Sequence, residues 1–439
     1  MFLIDKDVEL TPVYIGKCLS QFQTTEVPRL NRYWKYYQGN QKILQKQASD
    51  IGRPNNKIVV NYCYNITQNY LGYLTGIPIK YTNDDFKEVI DVLNYNDVEN
   101  EDNEYLRQAL IFGRSFEVNY IDEDAKQRFR TFDTRECVPI YDNSLNNDLK
   151  YVIRFFRENI LDRQNENYIV EVYGPSTVKT YRSGPGFITF ELISEEQHFY
   201  GQCPVTVFSL NKDEESIFAQ VMSLQDGYNQ LVSDEIDDFD TFCDAYLVLK
   251  GAIADEEDLV AMKKNKVLMM DPDASAEYLT KTINDTQTKN ILDNLNDQIH
   301  KISCSPDFTD EKFMAQSGIA LRYKLIQFEN RAANIEANMR KALQRRIELI
   351  SDIINLTGGE DMWRDVQIKF TRNLPNTLVP STPDEVNAYR GLVSDSTLIS
   401  LLPFVDNVDE ELKKVEAEKK EQLALYPLGE VDDEQLLEE

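Results

Sequence analysis

Apolar side chains recur at steps of three and four residues through residues 211–243, which contain no proline and a single glycine. The stripe consists of Ile217, Val221, Leu224, Tyr228, Leu231, Val232, Ile236, Phe239 and Cys243. This spacing predicts one amphipathic helix over the whole segment, about 50 Å long at about 1.5 Å of rise per residue. Such a helix is longer than most helices of globular proteins.

The polar face of this predicted helix is almost entirely acidic. Residues 211–244 contain ten carboxylates and one basic residue, Lys212. The acids are Asp213, Glu214, Glu215, Asp226, Asp234, Glu235, Asp237, Asp238, Asp240 and Asp244. Like charges three and four residues apart on a helix repel each other, so this helix would be hard to stabilise alone. A narrow apolar stripe with two polar flanks favours side-by-side packing with other helices.

Further helices are predicted on both sides of this segment. They cover residues 11–48, 57–75, 84–95, 102–112, 255–264, 285–302, 319–356 and 384–425. The helix over 319–356 has the reverse charge, because its arginines and lysines outnumber its glutamates. The last helical unit opens with the capping box Thr382-Pro-Asp-Glu385 and ends in an acidic tail.

Between residues 115 and 210 the apolar period changes to two, and Asp-Asn, Gly-Pro and Ser-Gly-Pro-Gly sequences mark turns. This pattern predicts an antiparallel β region. Short strands are also predicted over 79–82, 245–251, 266–270, 276–281 and 366–370, the last of which could rejoin the β region. Residues 244–284 would form a small unit between an outgoing and a returning helix. The predicted fold class is α+β.

Composition limits the possible functions. The chain has 439 residues and a formal net charge of −28, and its length predicts about two to four structural units. Such a chain is a poor candidate for gripping DNA through a broad basic face, since that binding requires Lys and Arg to neutralise phosphates. Six widely spaced cysteines without a C-x-x-C motif predict buried, reduced thiols in a soluble protein made in a cytosol. We recognise no signal peptide and no apolar run of about 20 residues that would span a membrane.

Side chains that could support catalysis are few. His198 and His300 have no cysteine or acid at ligand spacing, and no phosphate-binding glycine motif is present. A two-metal nuclease needs carboxylates that converge on ions about 3.5–4 Å apart, but a helix directs Asp237 and Asp238 about 100° apart. We therefore favour a protein that is not an enzyme and has no cofactor or metal. A metal-dependent nucleic-acid enzyme using the acids of residues 234–244 is the alternative.

Several short sequences resemble the SPP1-type family of tailed-phage portal proteins. They are Asn61-x-x-x-Asn65 with Gly72-Tyr-Leu-x-Gly76-x-Pro78, Pro204-Val-x-Val-Phe208, Asp226-x-Tyr-Asn229-x-x-x-Ser233, Asp244-Ala-Tyr-Leu-Val-Leu-Lys-Gly251, and Ser317-Gly-x-Ala320-Leu321. The matches are spread over about residues 55–350 in the expected order. Gly227 is a local departure, because the family more often has a better helix former there.

The resemblance implies a portal-protein fold with an α/β wing, a long-helix stem, a small α/β clip and a helical crown. It assigns 1–210 to the wing, 211–243 and 285–302 to the stem, 244–284 to the clip, 303–318 to a tunnel loop, 319–380 to a long helix and wing return strand, and 381–439 to the crown and acidic tail. It also implies a ring of normally twelve copies at one capsid vertex. Double-stranded DNA would be packaged and ejected through the ring.

The resemblance also implies partners and a location. The ring would dock the terminase large subunit and later the head–tail adaptor, beside the major capsid and scaffolding proteins. It would belong to the virion, be assembled in the bacterial host cytoplasm, and have no contact with a membrane. DNA would pass non-specifically, because an acidic stem repels phosphates over a screening length of about 8 Å. The predicted stem acids are Asp226, Asp234, Glu235, Asp237, Asp238 and Asp240.

The resemblance also leads to predictions for the tunnel loop and for the clip. The tunnel loop would present Ser303, Lys312, Gln316 and Ser317 to DNA. Lys312 would be its only cation able to touch phosphates, although it could equally be solvated or pair with Asp310 or Glu311 of a neighbour.

Lys263, Lys264 and Lys266 would form an exposed clip rim that docks an acidic adaptor or terminase. Alternatively, these lysines complement the dipole of their own helix end. For the chain as a whole, a monomeric intracellular scaffold is a third possibility.

Overall fold

The computed structural model describes residues 2–48, 54–82, 87–159, 166–243, 246–250, 275–279, 285–308, 318–356, 362–373, 394–400 and 408–425. Two compact units are distinguished. The first consists of Met1–Asp307 with Gln327–Thr371, and the second of Phe308–Ile326 with Arg372–Glu439. The β region and the helix predicted at mid-chain belong to the first unit.

The helices of the described residues confirm most of the predicted helical segments. They are α1 Pro12–Tyr37, α2 Tyr62–Thr75, α3 Lys87–Tyr95, α4 Val98–Phe112, α5 Met222–Cys243, α6 Asp285–Ser303, α7 Gly318–Asn355, α8 Asp395–Ser400 and α9 Val408–Leu425. In the second unit, α8 and α9 contact each other.

The strands of the described residues lie mostly in the segment where the sequence predicted them. They are β1 Phe2–Ile4, β2 Lys80–Thr82, β3 Arg114–Ile121, β4 Gln127–Phe132, β5 Cys137–Asp142, β6 Leu149–Arg157, β7 Tyr168–Tyr173, β8 Thr177–Ser183, β9 Phe190–Gln197, β10 Val205–Ser209, β11 Tyr246–Lys250, β12 Ser275–Leu279 and β13 Gln367–Lys369.

These strands form four sheets. The largest has the order β1-β5-β6-β7-β8-β9, and a second has the order β10-β3-β4. Neighbours in both are antiparallel, except that β1 runs parallel to β5. The pairs β11–β12 and β13–β2 are antiparallel ribbons. The predicted antiparallel region is confirmed. The strand predicted at 366–370 was expected to rejoin that region, but in the described residues it pairs with the strand predicted at 79–82, in a ribbon separate from the two larger sheets.

The core of the β region lies between the two larger sheets. Phe116, Val118 and Val205 of the three-stranded sheet form one buried cluster with Cys137 and Val152 of the six-stranded sheet. Alternate residues of a strand point to opposite faces, so the period of two in the sequence supplies one apolar face from each sheet.

Helix ends are set by local chemistry. The Thr11 hydroxyl accepts a hydrogen bond from the Tyr14 amide at 3.4 Å, and the Asn61 side chain accepts one from the Tyr64 amide at 3.2 Å. These are N-caps that satisfy otherwise free amides. Helix α4 ends at Gly113, whose φ is +86°. A Cβ at Gly113 would lie 2.1 Å from the Glu214 carbonyl oxygen, so glycine is required there.

The predicted helix over residues 211–243 is wrong in its first third. Helix α5 begins only at Met222, after a single 3₁₀ turn at Ala219–Val221. Glu214 adopts a positive φ of 52°, and the Ile217 amide donates to the Leu110 carbonyl at 2.9 Å. These contacts with the end of α4 hold residues 211–218 in turns, so the helix is about 33 Å long at about 1.5 Å per residue.

Other predicted boundaries also differ from the observed ones. The helix over 11–48 ends at Tyr37, the helix over 57–75 starts at Tyr62, and the helix over 102–112 starts earlier, at Val98. Residues 84–86 of the helix predicted over 84–95 lie outside the described residues. Strand β1 was not predicted, because three residues are too few to show a period. The helix predicted over 255–264 and the strand over 266–270 lie outside the described residues, as does the Thr382-Pro-Asp-Glu385 capping box.

The predicted state of the cysteines is largely confirmed. Cys18, Cys63, Cys137 and Cys203 are buried free thiols, and Cys304 is half-buried. Burial raises the pKa of Cys18 to about 11, so this thiol stays protonated and unreactive near neutral pH. Among the helices that the structure describes, none combines the length and apolar character needed to cross a bilayer.

Candidate functional site

Helix α5 presents a row of polar side chains to an extended segment near the N-terminus. Gln225, Asn229 and Ser233 are completely buried, although each carries hydrogen-bonding groups. They are four residues apart and therefore lie on one side of the helix. The segment that they face, residues 54–61, is neither helix nor strand. Its amides therefore need partners from outside a sheet.

Each side chain in this row accepts a hydrogen bond from one backbone amide, and successive amides are two residues apart. Gln225 Oε1 accepts from Tyr62 at 2.9 Å, Asn229 Oδ1 from Val60 at 2.9 Å, Ser233 Oγ from Ile58 at 2.9 Å, and Asp237 Oδ1 from Asn56 at 2.7 Å. We call these four contacts the polar ladder. Four helical residues rise about 6 Å and two extended residues span about 6.6 Å, which keeps the two repeats in register.

The remaining polar groups of the ladder are also satisfied. Gln225 Nε2 donates to the Val60 carbonyl and to Asn229 Oδ1. Asn229 Nδ2 donates to Gln41 Oε1, and Ser233 Oγ donates to the Asn229 carbonyl at 2.7 Å. Buried polar groups are costly only when they are left unpaired. The ladder therefore helps to hold α5 against the N-terminal region through hydrogen bonds, beside aromatic contacts such as that of Tyr228 with Tyr62.

The ladder ends in an acidic cluster that contains three of the predicted stem acids. Lys46 Nζ lies 2.7 Å from Asp234 and 2.6 Å from Asp237. Asn56 Nδ2 donates to Asp237 and to Asp240, both at 2.8 Å. Burial alone would raise the pKa of Asp237, but the hydrogen bonds from Lys46 and Asn56 and the Lys46 charge lower it below 3.8. These acids are engaged by the chain's own N-terminal region.

Asp226 is engaged in the same way, one turn into α5. The Tyr36 hydroxyl of α1 donates to both of its carboxylate oxygens at 2.8 Å. Burial, together with this hydrogen bond, raises the pKa of Tyr36 to about 12. Of the two other predicted stem acids, Glu235 is half-buried and Asp238 is exposed. The predicted acidic stem is therefore partly neutralised within one copy of the chain.

The predicted tunnel loop is described only at its start. Ser303 is the last residue of α6 and is 1% exposed. Its carbonyl accepts hydrogen bonds from Tyr70 Oη at 3.0 Å and from Arg331 Nη1 at 3.0 Å. A side chain this deeply buried cannot contact DNA, so the prediction for Ser303 is wrong. Lys312, Gln316 and Ser317 lie outside the described residues, as do the predicted clip-rim residues Lys263, Lys264 and Lys266.

The role of the ladder residues is not predicted from the sequence. The signal was present, because Gln225, Asn229, Ser233 and Asp237 form a polar row at helical spacing. We interpreted the helix through its apolar stripe, and polar residues at such spacing are usually solvated. Two ladder residues, Asn229 and Ser233, belong to a motif that supported the family resemblance, and the structure now gives them a physical role.

In the part of the chain that the structure describes, no group of three or more His, Cys, Asp or Glu side chains is placed to hold an ion. The carboxylate oxygens of Asp234 accept hydrogen bonds from Lys46 and Gln230, and those of Asp237 accept hydrogen bonds from Lys46 and Asn56. The site is suited to holding a helix in place.

The sequence of the chain matches a known family of structural proteins. The family model described as "Phage portal protein, SPP1 Gp6-like" matches residues 17–424. The chain belongs to this family of phage portal proteins, and the resemblance seen in the sequence is confirmed. It is accordingly a component of the virion, of a structural class that forms rings within a capsid.

Two portal proteins illustrate the relationship. The portal protein of Bacillus phage SPP1 is 22% identical over 369 residues, which cover 79% of this chain and 73% of that protein. The portal protein of Clostridium phage phiCD119 is 22% identical over 422 residues, which cover 88% of this chain and 91% of that protein.

Two solved structures of gene transfer agent particles are also similar to the chain. A chain from the neck of an empty particle, computed with C6 symmetry, aligns with a TM-score of 0.40 and 10% identity, covering 83% of this chain and 90% of that one. A chain from the virion of a native particle aligns with a TM-score of 0.42 and 9% identity, covering 78% and 89%.

Proposed function

We propose that the chain assembles with copies of itself, normally twelve, into a ring at one vertex of a phage capsid, and that double-stranded DNA is packaged and ejected through its centre. The observation that carries this proposal is the family match over residues 17–424. The ring would first dock the terminase large subunit and then the head–tail adaptor, with the major capsid and scaffolding proteins around it.

The course of the chain through α5 and α6 supports a stem that ends in a clip. Helix α5 leads into β11, and β12 leads back into α6. The two strands pair antiparallel, with Tyr246 opposite Leu279, and the two helices contact each other. The chain thus runs out along α5 and returns along α6 within the first unit. We assign α5 and α6 to the stem and residues 244–284 to the clip.

The polar ladder supports a rigid connection between this stem and the wing. Four side chains of α5 bind four amides of residues 56–62, and all of these ladder groups are paired. Hydrogen bonds are directional, so these contacts fix one position of α5 along its axis relative to residues 56–62. A contact made only by an apolar stripe would allow the helix to shift along that axis. In a ring, every copy would hold its stem at the same height.

The charge of the stem supports passage of DNA without retention. Helix α5 contains six carboxylates and no lysine or arginine. The exposed acids repel phosphates, so DNA would form no ion pairs along this helix and would move past it non-specifically. We keep the clip rim of Lys263, Lys264 and Lys266 as the proposed docking site for an acidic adaptor or terminase.

A measurement of mass in solution, combined with electron microscopy of the purified chain, tests the proposal. We expect annular particles of about twelve chain masses. Lone globular particles under every assembly condition would contradict it and would favour a monomeric scaffold.

The enzyme alternative has a separate test, because it requires Mg²⁺-dependent DNA cleavage that is lost in Asp238→Asn. No observation in the described residues favours that alternative. We expect no cleavage by either the unmodified chain or the variant.

A further inference from the structure

Helix α1 joins two exposed apolar surfaces. The helix has 26 residues, so its ends are about 39 Å apart at about 1.5 Å of rise per residue. Its N-terminal half packs on the turn between β8 and β9. There the Ser20 hydroxyl donates to the Gly186 carbonyl at 3.4 Å, and a Cβ at Gly16 would lie 3.3 Å from the Phe190 ring. The C-terminal end of α1 packs on α2 and α4.

The surface at the N-terminal end of α1 consists of aliphatic side chains on and beside β9, the outermost strand of the six-stranded sheet. We call it the aliphatic edge, and its exposed members are Val13, Ile188, Leu192 and Ile193. Val13 lies three residues before Gly16, on the same side of α1, and Leu192 lies two residues after Phe190, on the same face of β9. Among the described residues, β9 pairs only with β8. An exposed apolar edge strand is available to associate with another chain.

The surface at the C-terminal end of α1 is a row of aromatic rings, which we call the aromatic row. In order, its rings are Phe112, Trp34, Tyr37 and Tyr64, and the successive ring centroids are 6.0, 5.6 and 5.3 Å apart. Phe112 is buried, Trp34 and Tyr37 are half-buried, and Tyr64 is exposed. The Arg135 guanidinium lies over the Trp34 ring, 5.1 Å from its centre. Tryptophan, tyrosine and arginine are the residue types that contribute most to binding between proteins.

Charged side chains beside both surfaces are paired within the chain. Glu195 lies 3.2 Å from Lys179 beside the aliphatic edge, and Arg135 lies 2.5 Å from Asp133 beside the aromatic row. The net charge of −28 makes a contact between unpaired acidic surfaces of two copies unfavourable. Two apolar surfaces with compensated charges beside them are therefore suited to contact each other.

We infer that the aromatic row of one copy packs against the aliphatic edge of the neighbouring copy. This inference rests on the ring proposed above and names one of its contacts. A closed ring repeats one head-to-tail contact between two different surfaces, and each copy carries these two surfaces at opposite ends of one helix. Pairing of β9 with β9 of another copy does not meet this requirement, because a contact between identical surfaces closes a dimer.

Polar substitutions in the full-length chain provide the first test. Tyr64→Ser and Leu192→Ser should each raise the protein concentration needed for half-assembly about tenfold, which corresponds to about 1.4 kcal/mol per contact. Leu145→Ser is the matched control, because Leu145 is 99% exposed in the turn between β5 and β6 and belongs to neither surface. It should assemble normally. Leu192 is exposed in the single copy, so its substitution should leave the thermal unfolding of the unassembled chain unchanged.

Photo-crosslinking gives a second readout that does not depend on affinity. Tyr64 is replaced by the photoreactive amino acid p-benzoylphenylalanine, which keeps an aromatic ring at this position. In rings, it should form covalent bonds to residues 12–16 or 187–193 of the neighbouring copy, which mass spectrometry of the linked peptides identifies. The same replacement at Tyr120, an exposed tyrosine of β3, is the control and should not link to these residues.

The outcomes separate this inference from the proposed function. If the unmodified chain forms rings, but both serine variants assemble as well as it does or the cross-links from position 64 map elsewhere, this contact is refuted while the ring stands. Normal assembly of Tyr64→Ser with a loss of affinity for single-stranded DNA would assign the aromatic row to base stacking and also refute the contact. If the unmodified chain never forms rings, the proposed function fails and this inference fails with it.

Discussion

Arg346 and Glu117 lie 229 residues apart in the chain and form a completely buried ion pair, in which Nε and Nη2 of the guanidinium donate to the two carboxylate oxygens at 2.7 and 2.6 Å. The third nitrogen, Nη1, lies 2.5 Å from Asp102, which also accepts from Tyr81 Oη at 2.6 Å. Arg346 thus pairs with two buried acids and connects α7 to β3 and α4. Burial raises the pKa of both Asp102 and Glu117, although the nearby Arg346 acts in the opposite direction.

Arg346→Met should therefore destabilise the chain strongly. The substitution leaves two buried carboxylates without their cation, and breaking such a pair typically costs about 3–5 kcal/mol. The loss should be largest near neutral pH. A carboxylate whose pKa is raised by folding binds its proton more tightly in the folded state, so stability falls as pH rises through the raised pKa. Urea unfolding at about pH 5 and pH 7 measures both effects.

The control is the variant Asp102→Asn/Glu117→Gln/Arg346→Met, which removes all three charges. It should recover much of the lost stability and lose most of the added pH dependence. An equal loss for Arg346→Met at both pH values would show that the buried carboxylates are not its cause.

Asn229→Ala tests the polar ladder. It would leave the Val60 amide and the Gln41 side chain without the partners that Asn229 provides. Each buried group left unpaired costs about 1–3 kcal/mol, so we expect a loss of about 2–4 kcal/mol in the free energy of unfolding. Asn40→Ala is the matched control, since Asn40 is exposed and should change stability by no more than about 0.5 kcal/mol. Similar values for the two variants would contradict the ladder.

Asp237→Asn tests the acidic end of the ladder through pH. The pKa of Asp237 is lowered below its ordinary value of 3.8, so its ionised form stabilises the folded state. This contribution is present above about pH 4 and is lost as pH falls through the lowered pKa. The variant should be less stable than the unmodified chain at about pH 6, and the difference should shrink by about pH 3. If the difference in the free energy of unfolding is the same at both pH values, the ion pair with Lys46 does not account for the stabilising effect of Asp237.

Gly227→Ala should stabilise the chain. A Cβ at Gly227 meets no atom within 4 Å, and replacing an interior helical glycine with alanine gains about 0.5–1 kcal/mol. Gly113→Ala is the opposing control, because its φ is +86° and the new Cβ would lie 2.1 Å from a carbonyl oxygen. It should lose at least about 1–3 kcal/mol from backbone strain. Thermal unfolding of both variants checks the signs, and a loss in Gly227→Ala would reveal an unrecognised contact.

Much of the secondary structure could be predicted because it depends on residues that are close together in the chain. The N-cap Asn61 and the run up to Thr75 define α2, and the alternation between residues 115 and 210 defines the strands of two sheets. Where prediction failed, a distant contact overrode the local pattern. Residues 211–218 keep helical spacing, yet the packing of Glu214 against Gly113 and the bond from Ile217 to Leu110 hold them in turns.

The candidate site was predictable only in its composition. Asp234, Asp237 and Asp240 were correctly identified as an acidic group, but their partners Lys46 and Asn56 lie about 180 or more residues away in the chain. The spacing of α5 shows a polar row, but it does not show whether that row is buried or exposed to solvent. The same holds for Gln225 and Asn229, which look solvent-exposed in sequence and are completely buried in the structure.

By itself, the sequence determined the kind of protein: an acidic α+β chain whose motifs place it among the phage portal proteins. It could do so because periodicity, helix caps and motif order depend on residues close together in the chain. Only the tertiary structure decided what each face of α5 does, turning one toward residues 56–62 through the polar ladder and leaving Asp238 exposed. A helix repeats every 3.6 residues whatever surrounds it, so the role of each face depends on what packs against it.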